Sequence, residues 1–226
     1  MDIAHNLEDT RRRIARAAAI SGRTAQDITL VAVSKTVDSS RIREALNCGV
    51  THFGENKVQD LLAKAREFDG ADNPPIWHMI GRLQTNKAKA AAETAALIHS
   101  VDSLRLAEEI NRRAPSPVDI LLQVNAANED TKAGIDAESA KAFVQHLQLL
   151  PNLNLRGLMT IAPAVENPEG NRDVFGIMHN LFVDILGSFD NNRFTLLSMG
   201  MTSDFEVAIE EGSNMVRIGT GIFGER

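Results

Sequence analysis

Short apolar runs alternate with helical segments along the whole chain, and this alternation constrains the fold more than any other feature. The runs predict eight strands, at residues 28–34, 51–54, 76–80, 97–101, 118–124, 155–161, 194–199 and 216–218. Between them the apolar residues recur at helical spacing, as Ile42, Ala45 and Leu46 illustrate. Strands that alternate with helices are typical of a parallel sheet, so eight such units predict a single (β/α)₈ TIM barrel of class α/β over residues 1–226.

Both ends of the chain bear on how this barrel closes. Residues 2–21 predict an extra N-terminal helix before the first strand, whereas few residues follow the eighth strand. We therefore expect the N-terminal helix to fill the place of a final helix in the outer ring. An open, doubly wound sheet is the alternative architecture, but no Gly-x-Gly-x-x-Gly follows the first strand, which disfavours its dinucleotide-binding form.

Composition excludes several classes of partner. The net charge of -6 argues against a nucleic-acid partner, because surfaces that bind phosphate backbones are normally basic. The run Arg11–Arg13 is interpreted as a solvated helix face among acidic neighbours. No apolar run approaches the roughly 18 residues of a membrane span. A single cysteine, Cys48, allows no internal disulfide and fits a cytoplasmic protein.

Residues that stand out from the apolar runs recur where the predicted strands end, which is where barrel enzymes place their catalytic and binding groups. These residues are Lys35, Glu55, Asn56, His78, Asn125, Thr160, Ser198, Met199, Arg217, Gly219 and Thr220. Metal binding is disfavoured, because His52, His78 and His99 fall on different strands without a carboxylate pattern. No Gly-x-Ser-x-Gly elbow supports a serine hydrolase.

Lys35 raises the most specific question, since it follows the apolar run Ile28–Val33 directly. Burial of an ammonium lowers its pKa, and a neutral amine attacks carbonyl groups. The last two strands end in segments rich in Gly, Ser and Thr, which suit a phosphate site. Together these features suggest a phosphorylated aldehyde held as a Schiff base, most commonly pyridoxal 5′-phosphate (PLP). A lysine that reaches solvent, and glycines that only form turns, remain open alternatives.

Seven segments resemble one family in order and spacing: VAVSKT, FGEN, WHMIGRLQTNK, TKAGI, LRGLMTIAP, SMGMTSDFEVAI and GSNMVRIGTGIFG. Over nearly its whole length the chain resembles the YggS/PROSC family of pyridoxal phosphate homeostasis proteins. The resemblance implies a barrel similar to the N-terminal domain of alanine racemase, with PLP on Lys35. It also implies roles for the other predicted site residues: phosphate binding by Ser198, Gly219 and Thr220, contact with the pyridine nitrogen by Arg217, and surroundings of the ring formed by Asn56, His78 and Met199. The chain departs from the family at Lys57, Thr202 and Asn214.

Two classes of function compete: a carrier that stores PLP and delivers it to apoenzymes, and a one-domain racemase. The sequence contains no tyrosine, the residue that an alanine-racemase-like mechanism uses as its second base, and the chain ends with its barrel. We therefore expect a carrier without amino-acid turnover, with His78 as the candidate base of the racemase alternative. A phosphosugar aldolase is a third, weaker reading. Lys87, Lys89 and Lys132 are candidate amines for a second site.

Overall fold

The computed structural model describes residues 2–127, 129, 133–187 and 193–225. The described strands are β1 (Thr29–Val33), β2 (His52–Glu55), β3 (Ile76–Met79), β4 (Leu97–Val101), β5 (Val118–Asn125), β6 (Ile135–Asp136), β7 (Leu153–Met159), β8 (Leu196–Ser198) and β9 (Met215–Ile218). The described helices are α1 (Ile3–Ile20), α2 (Ser39–Asn47), α3 (Val58–Glu67), α4 (Ala88–Thr94), α5 (Leu104–Arg113), α6 (Ala140–Leu147), α7 (Arg172–Leu186), α8 (Phe205–Glu210) and α9 (Thr220–Phe223).

Eight of these strands close into a parallel barrel. Their order is β4-β3-β2-β1-β9-β8-β7-β5, and the pairing of β4 with β5 completes the circle. The predicted (β/α)₈ barrel is therefore confirmed, and the open doubly wound sheet is wrong. Predicted strand ends lie within two residues of those observed. The sequence missed β6, a two-residue strand that pairs with β5 outside the barrel order.

Helix α1 completes the outer ring, as the count of elements predicted. It packs against α2, α8 and α9 and buries Ile3 and Leu7 completely. The amide of Asn6 donates to the carbonyl of Ile222 in α9 at 2.9 Å. Because α9 has only four residues, α1 supplies the apolar cover that this part of the barrel needs.

The three consecutive arginines spread around α1, because successive helical residues are about 100° apart, and each arginine has a partner within the chain. Arg11 donates to the carbonyl of Cys48 at 2.7 Å, and Arg12 pairs with Asp9. Arg13 binds Glu206 at 2.6 Å. Arg11 and Arg12 are exposed, as the interpretation of a solvated run predicts, and Arg13 is half-buried.

The barrel separates two layers of buried side chains. A large apolar core, which includes Phe53 and Phe175, lies between the strands and the helices. The interior holds a smaller apolar cluster of Val31, Leu97, Leu121, Met159 and Met215. Polar groups share this interior: Ser198, His99, His78 and Arg217 are at most 4% exposed. No helix among the described residues is both long enough and apolar enough to cross a membrane.

Candidate functional site

A cavity of about 380 Å³ opens at the carboxyl ends of the barrel strands. It is lined by Val33, Lys35, Asn56, Ile80, Gly81, Arg82, Gln123, Ala133, Ile161, Met201 and Arg217. Three of these side chains are cationic, namely Lys35, Arg82 and Arg217, and none of the described lining residues is acidic. Unbalanced positive charge around a cavity favours an anionic ligand.

Lys35 lies at the rim of this cavity, two residues beyond the end of β1. Its side chain is exposed, so the expectation of a buried ammonium was wrong. The next residue, Thr36, has a φ of 62°, which is uncommon for a β-branched residue and strains the backbone. A hydrogen bond of 2.9 Å from the Val37 amide to the Ser34 carbonyl closes the turn that presents Lys35.

A buried ion pair supports this turn from below. Glu55 is fully buried, and its Oε1 accepts from Lys64 Nζ at 2.7 Å and from Ser34 Oγ at 2.6 Å. Lys64 also donates to the Ser34 carbonyl at 2.6 Å. The polar residue that the sequence placed at the end of β2 thus fixes the residue before Lys35 instead of facing the cavity.

Arg217 reaches the cavity from inside the barrel. Its Nη1 donates to Ser198 Oγ at 2.6 Å and its Nη2 donates to the Thr160 carbonyl at 2.8 Å. Burial lowers the pKa of Arg217 to about 10, while nearby Asp204 acts in the opposite direction. The guanidinium therefore stays charged at neutral pH, and both of its hydrogen-bond acceptors are neutral.

Two hydroxyl groups near the ends of β8 and β9 have different surroundings. The Ser198 hydroxyl is fully buried between Arg217 Nη1 and His99 Nδ1, the latter at 3.1 Å. The Thr202 hydroxyl lies at the mouth and accepts from the amides of Gly219 and Gly221 at 3.3 and 3.4 Å. Of the two, Thr202 lies where a hydroxyl and backbone amides converge, although the sequence singled it out only as a departure from the family.

The remaining predicted residues do not share one location. Asn56 lines the cavity, whereas His78 is 2% exposed and binds two other histidines. Met199 is fully buried in the apolar core outside the strands, because it follows the inward-facing Ser198. Gly219 is half-buried, and Thr220 is the exposed first residue of α9. Lys35, Asn56 and Arg217 are thus the predicted residues that the cavity brings together.

Close backbone packing holds Asn56 at the cavity. A Cβ atom on Gly81 would lie 2.3 Å from the carbonyl oxygen of Asn56, well inside contact distance. The missing side chain lets the loop after β3 rest directly on the loop after β2. Gly81 also accepts from Ser100 Oγ at 2.6 Å, so β4 supports the same contact.

Eight of the eleven lining residues were not predicted as site residues, and three of these eight have long, flexible side chains. Arg82 lies in the quoted segment WHMIGRLQTNK, Met201 lies in SMGMTSDFEVAI, and Gln123 precedes the strand-end residue Asn125. Gln123 Nε2 donates to the Ala133 carbonyl at 2.9 Å, which holds Ala133 at the rim. Alternation along β5 could have found Gln123, because an inward residue near a strand end reaches the mouth.

The described lysines that are candidates for a second site do not line this cavity. Lys87 is half-buried, and Lys89 pairs with Glu93 at 3.6 Å. Lys132 lies outside the described residues. Within the described part of the chain, no group of three or more His, Cys, Asp or Glu side chains could hold a metal ion.

Comparisons with known proteins agree with the barrel fold. Residues 3–226 match the family model described as "Alanine racemase, N-terminal domain". The pyridoxal phosphate homeostasis protein of Aquifex aeolicus is 43% identical over 100% of this chain and 99% of its own length. The chain belongs to the family of pyridoxal phosphate homeostasis proteins. The pyridoxal phosphate homeostasis protein of Escherichia coli is 41% identical to it over 100% of this chain and 97% of that protein.

A solved structure extends this family relationship to three dimensions. PipY of Synechococcus elongatus, solved with PLP bound, has a TM-score of 0.81 and 36% identity to this family member. The match covers 93% of this chain and 100% of PipY. The barrel is therefore shared along nearly the whole chain.

Proposed function

We propose that the chain holds PLP in the mouth cavity and contributes to PLP homeostasis by storing the cofactor and delivering it to apoenzymes. The observation that carries this proposal is a primary amine at the rim of a cavity with three cations and no described carboxylate. Residues 1–226 would act as one cofactor-binding domain, since strands from the whole chain close the barrel. The proposed compartment is the cytoplasm, with which a single cysteine is compatible.

The residues at the mouth fit this ligand in three respects. The aldehyde of PLP forms a covalent bond with a primary amine, and Lys35 offers an exposed amine at the rim. Arg217 offers a charged donor at the cavity, and the family resemblance implies that this donor contacts the pyridine nitrogen. For the phosphate, the Thr202 hydroxyl and the amides of Gly219 and Gly221 converge beside the predicted residue Thr220.

The phosphate assignment predicts different effects for the two hydroxyls. We expect Thr202→Val to weaken binding of PLP by about tenfold or more, since a hydrogen bond to a charged group contributes roughly 1.5–3 kcal/mol. Binding of pyridoxal, which lacks the phosphate, should change little. Ser198→Ala should weaken both ligands to a similar degree, because its hydroxyl contacts Arg217. Equilibrium titration of each variant with both ligands measures these effects.

Three outcomes would contradict this assignment. If Ser198→Ala weakened PLP alone, the Ser198 hydroxyl would bind phosphate directly, as the sequence predicts. If Thr202→Val weakened PLP and pyridoxal equally, the phosphate would lie elsewhere. Thr220→Val is the matched control, because Thr220 is exposed and next to the same glycine pair; a selective loss there would move the site to the start of α9.

The contacts of His78 argue against the racemase alternative. Racemisation needs a second base on the face of the substrate opposite Lys35. Both ring nitrogens of His78 are occupied, at 2.9 Å from His52 and 2.9 Å from His99, and its side chain does not line the cavity. The described arrangement therefore holds His78 away from any ligand at the mouth.

A carrier and a racemase give opposite results in one pair of assays. We expect the PLP-loaded protein to produce no D-alanine from L-alanine above the rate of free PLP. We expect the same protein to reactivate a PLP-dependent apoenzyme, with chiral chromatography and the apoenzyme's own activity as the readouts. Racemisation that disappears in His78→Ala would show a racemase, and failure to reactivate any apoenzyme would contradict delivery.

A further inference from the structure

A chain of three histidines crosses the interior of the barrel to Arg217. His52 Nδ1 lies 2.9 Å from His78 Nε2, and His78 Nδ1 lies 2.9 Å from His99 Nε2. His99 Nδ1 lies 3.1 Å from Ser198 Oγ, which accepts from Arg217 at 2.6 Å. Successive rings meet nearly edge to face, with centroids 5.1 Å apart. Four hydrogen bonds thus join His52 to a guanidinium at the cavity.

Strand register explains how residues so far apart in sequence meet. His52 is in register with Ile76, two residues before His78, and His78 is in register with Leu97, two residues before His99. A step of two residues preserves the inward face. Because barrel strands are staggered, the three rings form a diagonal that runs from the start of β2 into the interior.

The guanidinium fixes the direction of every hydrogen bond in this chain. Arginine donates only, so Ser198 Oγ accepts from Arg217 and uses its own proton to donate to His99 Nδ1. His99 must then donate through Nε2 to His78 Nδ1, and His78 through Nε2 to His52 Nδ1. With the reverse direction, the buried Ser198 proton would have no acceptor among the described residues, which is costly.

The charges around the rings agree with neutral imidazoles. Burial, then His52, lower the pKa of His78 to about 3. Burial, then His78, Arg217 and His52, hold the pKa of His99 well below its ordinary value. Asp204 acts on Arg217. The half-buried His52 lines a cavity of about 410 Å³ near the amino ends of β1 and β2, together with Arg11 and Thr51. The row of histidines therefore extends from Arg217 at the mouth to His52 near the opposite end of the barrel.

We propose that His99 and His78 are positioning residues for Arg217, acting through Ser198, in a one-way hydrogen-bond chain whose donation begins at Arg217 and ends at His52. This inference rests on the proposed function. The chain keeps the Ser198 oxygen free to accept from Arg217, so the guanidinium is held by neutral groups and its full charge faces the ligand. A carboxylate in the place of Ser198 would hold Arg217 equally well but would neutralise it.

Nitrogen-15 spectra of the histidine rings in cofactor-free protein test the direction of the chain. We expect His78 and His99 to be neutral at pH 7 and protonated only on Nε2. Ser198→Ala should make His99 a mixture of the two neutral tautomers, because the hydroxyl that donates to Nδ1 is gone. A proton on Nδ1 of His78 or His99 in the wild-type protein would overturn the inference. The exposed His146, whose Nδ1 contacts the Ala142 carbonyl at 2.9 Å, serves as an internal reference.

Ligand binding tests the positioning role. We expect His99→Leu to weaken PLP binding by about tenfold and to alter the absorbance spectrum of the bound ligand, while covalent labelling stays on Lys35. His99→Gln, which offers both an acceptor and a donor, should restore most of the loss, and His146→Gln should have no effect. Unchanged affinity and spectrum in His99→Leu would overturn the inference. Absence of PLP from wild-type Lys35 would instead contradict the proposed function, and the cofactor-free spectra tell these failures apart.

Discussion

Cofactor-free protein should lose about 2 kcal/mol of unfolding free energy as the pH falls from 6.5 to 5, and about 4 kcal/mol by pH 3, from His78 alone. The unfolded chain binds a proton near pH 6.5, but folded His78 binds one only near pH 3. Between these values the unfolded state holds more protons, so this stability is complete above about 6.5 and is lost as the pH falls. His99 acts in the same direction. Urea unfolding at a series of pH values measures the slope.

Variants separate this effect from general acid sensitivity. His78→Gln should be less stable at neutral pH and should reduce the pH dependence between pH 6.5 and 5, where most carboxylates are still ionised; the part due to His99 remains. His146→Gln, on the exposed face of α6, should keep the wild-type slope. A flat wild-type profile, or a slope unchanged in His78→Gln, would contradict a neutral buried histidine chain.

Lys35→Ala should weaken PLP binding by at least about a hundredfold, because it removes both the covalent attachment and one of three cations at the cavity. Lys35→Arg keeps the charge without the nucleophile, so it should recover only part of this loss. Titration followed by absorbance gives both affinities.

The matched control is Lys57→Ala. Lys57 is exposed on the neighbouring loop between β2 and α3 and does not line the cavity. The Lys57→Ala variant should bind PLP as tightly as the wild-type protein does. Equal losses in Lys35→Ala and Lys57→Ala would show that bulk positive charge, and no specific amine, accounts for binding.

The barrel was predictable because its elements carry local signals. Apolar runs with helical segments between them identified all eight barrel strands to within two residues. The place of Lys35 at the mouth followed from its position after β1. Its exposure did not follow, because the openness of the mouth depends on how the loops after several strands meet. The short strand β6 has no apolar run of its own and forms through pairing with β5.

The contrast between Ser198 and Thr202 shows what a linear pattern lacks. Both hydroxyls lie in one glycine-containing segment, and composition alone cannot tell which one faces a ligand. The register of β8 decides: Ser198 ends the strand and points into the barrel, whereas Thr202 lies in the loop beyond it. The same alternation turns Met199 outward into the apolar core.

The histidine chain required register as well as strand positions. The sequence placed His52, His78 and His99 on separate strands, but their contacts depend on a stagger of two residues at each step. The available signal was that strand alternation places all three histidines on the inward face of three successive strands. It becomes informative only once a closed barrel fixes the pairing.

Borohydride reduction of the wild-type PLP-loaded protein, followed by peptide mass mapping, tests the central claim most directly. Reduction makes the bond between amine and ligand permanent, so the modified peptide reports which lysine was used. The structure predicts a single pyridoxyl phosphate mass on the peptide that contains Lys35. A label found only on Lys87, Lys89 or Lys132 would contradict it.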